Sequence, residues 1–334
     1  MKKPGFIDLQ LNGSFGVDFS DPATTVDEIL DVSVAILENG TRGFLATIIT
    51  GPRDAMQSCV RTLATAIRKQ GTHGPLLGIH LEGPFISPLD GYRGAHPVAS
   101  VIPPDIEWFR QLQKISEGNI RIVTLAPEYA NSADFIRAVT PGVIVGAGHT
   151  ACSYAEARNA VESGLTFATH IGNACLHTVD RHNNPIVNLL ACTEIVLSFI
   201  ADGFHLPESF IRMLIGSRPV SKLIAVSDAV KYAGMKPGRY RMSSGEGVIL
   251  SNDGRLCLES DSYIMAGSSF TLLQCMDHLA SLRILSQEEL WQVGYLNPLR
   301  LLGRNPAEFE DSENLVEYDE VTQKFKLLPS RHGR

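Results

Sequence analysis

Four short apolar segments of the chain end in side chains that could bind a metal ion or carry a proton. Glu82 follows LLGIHL, His149 follows VIVGAG and His170 follows TFAT. A Glu with two His side chains suits catalytic zinc, because three protein ligands leave one coordination position open. Asp228 ends the run LIAVS and could accept and return a proton. Together, these residue types favour metal-assisted hydrolysis.

Each of these residues also has a structural interpretation. A lone His near a strand end is more often a hydrogen-bonded structural residue than a ligand. An Asp such as Asp228 could equally begin a helix as its N-cap. Cys152 stands three residues after His149, so an H-x-x-C metal pair is an alternative to a packed thiol. Only a fold that brings the segments together would favour the catalytic interpretation over these alternatives.

The elements that would position these side chains are apolar runs separated by segments of helical periodicity. Continuous apolar runs are typical of parallel strands buried on both faces, and alternation with helices predicts a parallel sheet. Eight such runs favour a closed (β/α)8 TIM-type barrel, whose active site lies at the C-terminal ends of the strands. Gln10, Asn12, Asp202 and His205 also fall at such ends. The predicted strands are 5–13, 43–50, 76–84, 121–127, 143–149, 166–174, 196–205 and 223–229.

The domain organisation predicted from this pattern is one barrel with a small β addition. Residues 1–236 would form the eight barrel strands with the catalytic site, and 265–310 the last barrel helices. Between them, 237–264 is rich in glycine and alternating residues, with a hairpin signal at Asn252–Gly254. This stretch predicts a small β insertion, and 311–334 would be a C-terminal β tail.

Bulk composition limits the possible partners. The chain has 334 residues, 44% of them hydrophobic and 19% charged, with a net charge of -7. This acidic balance argues against a nucleic-acid surface. No uncharged apolar run is long enough for a membrane helix, and no leader is expected at the N-terminus. Six scattered cysteines without a C-x-x-C pair are typical of reduced thiols, which predicts a cytoplasmic protein.

Several motifs, taken in order, resemble one known family. The chain is similar to the N-acetylglucosamine-6-phosphate deacetylases of the amidohydrolase superfamily over nearly the whole barrel. HLEGPF and FATHxxNA are the specific matches, whereas GHT and SDA are weak alone but fall in the right order. The matching segments are PGFIDLQLNG, HLEGPFIS, RGAH, GHT, FATHIGNA, IADGFH, SDA, MAGSS and NPLRLLG.

The resemblance implies roles for individual residues. Glu82, His149 and His170 would bind the metal, Asp228 would accept and donate the proton, and His96 would polarise the acetyl carbonyl. Arg181 would contact the 6-phosphate, often from a neighbouring subunit, which implies a homodimer. The substrate-binding set would comprise Ala95, His96, Asn173, Ala174, Arg181, His205, Met265, Ala266 and Gly267.

Three features depart from common family patterns. Many amidohydrolases carry H-x-H on the first strand, where this chain has Gln10-Leu11-Asn12. Amides are poor zinc ligands, so one divalent ion is expected; zinc is the default, although iron, cobalt or manganese would fit. The small β-sandwich of the family would be reduced, because the sequence begins at the first barrel strand. After Arg181 the chain reads HNNPIVNLLAC in place of a Pro-Gly-rich segment.

The predicted function is hydrolysis of the acetamide of N-acetylglucosamine 6-phosphate, a phosphorylated amino sugar. One alternative is deacetylation of N-acetylgalactosamine 6-phosphate or another N-acyl compound, since a fold alone does not choose a substrate. Another is a non-catalytic homologue that binds sugar phosphates. The complete set of Glu82, His149, His170 and Asp228 favours an enzyme over this last alternative.

Overall fold

The computed structural model describes residues 2–242, 245–262, 265–310 and 315–328. Its strands are β1 (Lys2–Pro4), β2 (Phe6–Leu11), β3 (Gly13–Ser14), β4 (Val17–Asp18), β5 (Thr41–Ile49), β6 (Leu76–Glu82), β7 (Ile120–Leu125), β8 (Ile144–Ala147), β9 (Phe167–Ala168), β10 (Val196–Ile200), β11 (Leu223–Val226), β12 (Gly238–Arg241), β13 (Gly247–Leu250), β14 (Leu256–Leu258), β15 (Leu315–Asp319) and β16 (Lys324–Leu327).

The α-helices alternate with the strands for most of the chain. They are α1 (Val26–Glu38), α2 (Arg53–Gln70), α3 (Ile106–Ile115), α4 (Ser132–Val139), α5 (Tyr154–Glu162), α6 (Pro185–Leu190), α7 (Glu208–Ser217), α8 (Leu272–Ser281), α9 (Gln287–Trp291) and α10 (Asn297–Leu301). Short 3-10 segments span Val98–Ser100, Val220–Lys222 and Pro306–Phe309, and a π-helical turn spans Gln292–Leu296.

Within the described residues, β2 and β5–β11 form an eight-stranded parallel sheet in chain order, from β2 at one edge to β11 at the other. The two edges meet through a parallel bridge between Leu11 and Ala229. A backbone hydrogen bond of 3.0 Å from Asp228 N–H to the Gln10 carbonyl adds to this contact. The predicted barrel is therefore confirmed, and its closure passes through Asp228.

The apolar runs of the sequence correspond to buried strands, but most of these strands are shorter than the runs that predicted them. Every residue of β6 is buried, as expected for a strand covered on both faces. The expected strand 143–149 ends at Ala147, and 166–174 contains only Phe167 and Ala168. The chain turns at His149 and His170, where φ is 50° and 29°. Extended backbone needs a negative φ, so both strands must end before these residues.

Local capping signals fix the starts of several helices. The Ser153 hydroxyl accepts the Glu156 N–H, and the Glu156 carboxylate accepts the Ser153 N–H at 2.7 Å. This is the capping box that the sequence predicts for α5. Such a box satisfies N–H groups that have no partner within the helix, and so it fixes where α5 begins after the turn at His149.

Besides the short hairpin of β3 and β4, two small sheets of the described residues lie outside the barrel. The antiparallel sheet β12–β14 falls within the predicted β insertion, with the 252–254 turn joining β13 to β14. The predicted tail supplies β15 and β16, and β15 pairs with β1 at the other terminus. Residues 2–4 thus belong to this terminal sheet and not to the barrel. Of the predicted insertion and tail, 243–244, 263–264, 311–314 and 329–334 lie outside the described residues.

The terminal sheet packs on the barrel through aromatic rings. Phe325 of β16 meets Phe6 of β2 edge-on at 4.9 Å between centroids, and Trp291 at 5.5 Å. All three side chains are buried in one continuous core. In the part of the chain that the structure describes, no helix combines the length and apolarity needed to cross a membrane.

Replacing Phe325 by alanine should lower the free energy of unfolding by about 3 kcal/mol, because it removes a buried ring and leaves a cavity. Urea denaturation measures this loss. Val321, in the same hairpin, is 89% exposed, so Val321→Ala is the matched control and should change stability by less than about 0.5 kcal/mol. Equal stabilities for the two variants would show that the terminal sheet does not stabilise the barrel.

Candidate active site

Three buried side chains from the ends of three strands converge on one point. Glu82 Oε1 lies 2.6 Å from His170 Nε2 and 3.3 Å from His149 Nε2. One ligand atom from each residue lies within 4.8 Å of the other two. All three side chains are buried. The structure thus brings together the predicted metal ligands, in a donor set that suits a divalent metal ion.

The orientation of His149 leaves one nitrogen available at this cluster. Its Nδ1 lies 3.2 Å from the backbone carbonyls of both Tyr92 and Arg93. A carbonyl only accepts, so Nδ1 carries a proton, and Nε2 is the ring nitrogen directed at Glu82. A metal ligand needs this ring orientation, and a hydrogen bond to the second ring nitrogen commonly fixes it.

The charge of Glu82 is balanced inside the cluster. Burial pushes the pKa of Glu82 upward, but His170 and His149 hold it well below its usual range. Conversely, burial disfavours the charged form of His170, yet Glu82 raises the pKa of His170 to about 9. A buried carboxylate is costly without a positive partner. Here a protonated imidazole serves as that partner, at a position where a bound cation could replace its proton.

The amides at the end of β2 support carboxylates. Gln10 Nε2 donates to Glu82 Oε1 at 2.7 Å, and Asn12 Nδ2 donates to Asp228 Oδ1 at 2.7 Å. Both contacts use the donor end of the amide, an assignment that follows from the acceptor-only carboxylates. These two residues therefore orient other groups at the place where many amidohydrolases have histidine ligands.

Asp228 lies beside the cluster and is half-buried. Burial and the charge of Glu82 together raise the pKa of Asp228 to about 6. His170, His205 and the Asn12 amide oppose this rise. A carboxylate with a pKa near 6 can both accept and return a proton near neutral pH. No helix begins among residues 223–242, so Asp228 is not a helix N-cap.

His96 lies over the cluster from a separate loop. Its ring centroid is 4.3 Å from that of His149. Its Nδ1 lies 3.3 Å from the Thr50 N–H and 2.8 Å from Thr50 Oγ1. Because a backbone N–H only donates, Nδ1 is the acceptor and Nε2 carries the proton. Burial and the neighbouring His149 lower the pKa of His96 to about 3, so this imidazole is neutral and can donate a hydrogen bond.

His205 is oriented by Asp202. Asp202 Oδ2 accepts His205 Nδ1–H at 2.7 Å, while Oδ1 accepts the N–H groups of Phe204 and His205 at 2.9 and 3.0 Å. The loop after β10 is therefore folded around one buried carboxylate. This carboxylate fixes the orientation of the His205 ring, whose Nδ1 donates to it.

Three of the candidate residues have unusual backbone geometry. His149, His170 and Asp228 have φ values of 50°, 29° and 49°. L-residues rarely adopt positive φ, and each such residue costs on the order of 1–3 kcal/mol. Backbone strain of this kind clusters at functional sites. That three strand ends share it supports a site at this end of the barrel.

Apart from His96 and His205, the predicted substrate-binding residues are less buried than the cluster. Ala95 and Arg181 are exposed on loops, whereas Asn173 and Ala174 are half-buried just past His170. The segment Met265, Ala266 and Gly267 is also half-buried. It is anchored next to Asp228, because the Val230 N–H donates to the Ser268 carbonyl at 2.9 Å. Cys152, the alternative ligand, is buried outside the cluster.

Sequence reasoning missed two supporting groups. It noted Asp202 as a polar strand end but assigned it no role, although its place three residues before His205 signals a local hydrogen bond. It also missed Thr50, which no motif marks. Next to Glu82 on β6, His80 is also buried, with Nδ1 3.0 Å from the Leu9 carbonyl and Nε2 2.7 Å from Thr124 Oγ1.

The chain is similar to known proteins over most of its length. The chain is 36% identical over 312 residues to the N-acetylglucosamine-6-phosphate deacetylase of Bos taurus, covering 90% of this chain and 74% of that protein. The Bacillus subtilis (strain 168) protein of the same name is 32% identical over 304 residues, covering 90% and 75%. The chain belongs to the N-acetylglucosamine-6-phosphate deacetylase family. No family model matches the sequence.

Solved structures of this deacetylase family share the fold. One is an Asp-to-Ala variant of N-acetyl-D-glucosamine-6-phosphate deacetylase from Mycobacterium smegmatis in complex with N-acetyl-D-glucosamine-6-phosphate. It superposes with a TM-score of 0.86 at 27% identity, covering 98% of this chain and 85% of that one. The similarity therefore extends over the barrel and both small sheets.

Asp202→Asn should disturb the loop that contains His205. Both carboxylate oxygens of Asp202 accept N–H groups, and asparagine would place an NH2 donor at one of these two positions. The free energy of unfolding should fall by about 1–3 kcal/mol, and the His205 tautomer, observed by NMR of its ring nitrogens, should change. Asp180 is a matched control: it accepts the N–H groups of His182 and Asn183 but is exposed. Asp180→Asn should cost less than about 0.5 kcal/mol; an equal loss in both variants would contradict the assignment.

Proposed function

We propose that this protein hydrolyses the acetamide of N-acetylglucosamine 6-phosphate to acetate and glucosamine 6-phosphate. The observation that carries the proposal is the convergence of Glu82, His149 and His170 beside Asp228 and His96, in a chain of this deacetylase family. Each of these five side chains has a chemical role in amide hydrolysis; four are buried, and Asp228 is half-buried.

We propose that the cofactor is one divalent ion, with zinc the best match to a His2Glu donor set. The cluster fits such an ion because His149 directs Nε2 inward, and Glu82 holds its charge against burial. When bound, the ion would act as a Lewis acid on the acetyl carbonyl and would lower the pKa of water. Gln10 and Asn12 contact carboxylates, which argues against a second ion at their position.

Asp228 would handle the proton in both halves of the reaction. Its carboxylate would accept a proton from the attacking water, and its carboxyl would then return that proton to the leaving amine. Asn12 keeps Oδ1 occupied, so we assign the transfer to Oδ2. The pKa of about 6 leaves Asp228 mostly ionised at neutral pH, which is the form that the first transfer needs.

His96 would stabilise the oxyanion that develops on the acetyl oxygen. Thr50 fixes its Nε2–H tautomer, and a neutral imidazole donates a hydrogen bond without needing a counter-charge. Donors fixed in place before the reaction stabilise developing charge at no reorganisation cost.

The phosphate would be bound by Arg181 and His205. Arg181 is exposed in the described chain, and arginine presents a planar fork that matches phosphate oxygens. We propose that Arg181 reaches the site of a neighbouring subunit, which makes the protein a homodimer.

Acetate release from N-acetylglucosamine 6-phosphate is the direct test, run with and without a chelator. Turnover that disappears with the chelator and returns with zinc supports the proposal. The same assay with N-acetylgalactosamine 6-phosphate reports the sugar preference. Binding of the sugar phosphate without acetate release under all metals would indicate a non-catalytic protein.

Elemental analysis should find about one divalent ion per chain, since one three-ligand site is present among the described residues. Glu82→Gln should reduce the retained ion by at least about tenfold, because it removes the only ligand charge. Glu107→Gln, a change of an exposed carboxylate outside the cluster, should retain the wild-type amount. Two ions per chain at full occupancy would contradict the single-ion assignment.

Asp228→Asn keeps the shape of the side chain but not its ability to accept a proton. The variant should fold and retain metal, yet its kcat should fall by at least about a hundredfold. In the wild type, kcat should fall as pH drops through about 6 or below, because protonation of Asp228 removes the base. Steady-state kinetics across pH measure both effects. An Asp228→Asn protein with most of its kcat would show that another group moves the proton.

Arg181→Ala should raise KM for the phosphorylated sugar by at least about tenfold, and KM for N-acetylglucosamine far less, because the guanidinium contacts only the phosphate. Arg212 is an exposed arginine already paired with Glu208, so Arg212→Ala is the control and should leave both values unchanged. Equal effects of Arg181→Ala on the two sugars would remove Arg181 from the phosphate site.

A further inference from the structure

Asp8 is a buried carboxylate that the proposed chemistry does not use. It lies within β2 and is 1% exposed. Its Oδ2 accepts the Ser227 hydroxyl at 2.5 Å, and its Oδ1 accepts the backbone N–H groups of Gln10 and Ser227 at 3.2 and 3.3 Å. One side chain of the first barrel strand thus contacts the backbone just before Asp228 on the last.

These contacts lie where the barrel closes. Neighbouring barrel strands are joined by ladders, but β2 and β11 meet through the Leu11–Ala229 bridge. The Asp8 carboxylate occupies the space just before this bridge and accepts N–H groups that a regular ladder would pair with carbonyls. It therefore adds side-chain hydrogen bonds between the two edges next to their short backbone contact.

The same network encloses the turn at Asp228. Ser227 Oγ donates to Asp8 and also accepts the Ala229 N–H at 3.1 Å. Asp228 lies between these two anchored residues with a φ of 49°. A left-handed conformation at a non-glycine residue persists only when its surroundings over-determine it. The hydrogen bonds on either side of Asp228 meet this requirement.

Burying the Asp8 carboxylate costs free energy. Burial raises the pKa of Asp8 to about 7 despite the opposing hydrogen bonds from Ser227 and the Gln10 N–H. The charge of Asp228 adds to the rise. An apolar side chain would avoid this desolvation penalty, so a contribution to folding stability does not account for a carboxylate here.

We propose that Asp8 is a positioning residue that acts through Ser227 to hold the Asp228 turn, and through the Gln10 backbone to hold the amide that contacts Glu82. The inference rests on the proposed function, since it assigns Asp8 to the proton transfer of that reaction. Asp8 connects the group that moves the proton to the carboxylate of the metal cluster across the closure of the barrel.

Three variants test this role by steady-state kinetics and metal analysis. Ser227→Ala removes the hydroxyl that donates to Asp8 and accepts the Ala229 N–H. Its kcat should therefore fall about 10- to 100-fold, while KM changes less than about threefold. Asp8→Ala should lower kcat at least as much. Asp8→Asn should remain within about fivefold of wild type, because its oxygen can accept both N–H groups and its amide can donate to Ser227. Bound metal should be unchanged in Ser227→Ala.

Asp18 provides the matched control. It is also a substantially buried aspartate with a raised pKa, caused by its burial, and it accepts the Ser20 N–H at 2.9 Å. Asp18→Asn should leave kcat within about twofold of wild type. A wild-type kcat in Ser227→Ala, or equal losses in Asp8→Asn and Asp8→Ala, would overturn the inference.

A crystal structure of Ser227→Ala separates this inference from the proposed function. A displaced Asp228 backbone supports the positioning role even if the wild-type protein releases no acetate, a result that would count only against the proposed function. A φ at Asp228 that remains near its wild-type value would overturn the inference whatever the activity.

Discussion

A buried carboxylate between two imidazoles is the interaction on which this site depends. Glu82 cannot be buried with its charge unless positive or hydrogen-bonding groups surround it, and His149, His170 and Gln10 supply them. Such a cluster needs side chains from opposite parts of a sheet. A closed barrel provides this geometry because all its strands end around one opening. The metal-binding chemistry and the closure of the fold are therefore one constraint.

The strand ends meet this constraint at a conformational cost. Two of the three cluster residues and Asp228 have positive φ, which turns each side chain away from the direction that an extended strand would give it. Hydrogen bonds on neighbouring residues offset this cost. Thr150 and the Ala151 N–H, next to His149, are both held by Glu128, and Ser198 Oγ accepts the His170 N–H at 2.8 Å. Each strained turn thus has its own polar anchor on an adjacent element.

Neighbouring polar groups fix the orientation of each histidine ring of the site. His149 and His205 donate from Nδ1 to acceptors, which directs Nε2 to the other side of the ring, whereas the Thr50 N–H makes Nδ1 of His96 an acceptor. A hydrolase needs both kinds of nitrogen, one to accept or bind and one to donate to developing charge. The difference between these histidines comes from backbone groups and short side chains around them and not from the imidazoles.

The sequence by itself determined the barrel and the main reacting groups. Apolar runs of strand length, separated by capped helices, specify a parallel sheet, because burial of both strand faces leaves no other pattern. Residues such as Glu82 and Asp228 could be predicted from the sequence, because burying a charged side chain directly after an apolar run costs free energy unless it has a partner. Their positions at strand ends then followed from the barrel.

Only the tertiary structure decided what connects these groups. The pairing of residues 2–4 with β15, the contact of Thr50 with His96, and the contact of Asp8 with Ser227 join parts of the chain that are far apart in sequence. No local pattern encodes such contacts, because they depend on which strand ends and loops meet when the barrel closes. The backbone geometry could not be predicted from the sequence for the same reason. The positive φ of His149, His170 and Asp228 is imposed by their surroundings, against the intrinsic preference of L-residues.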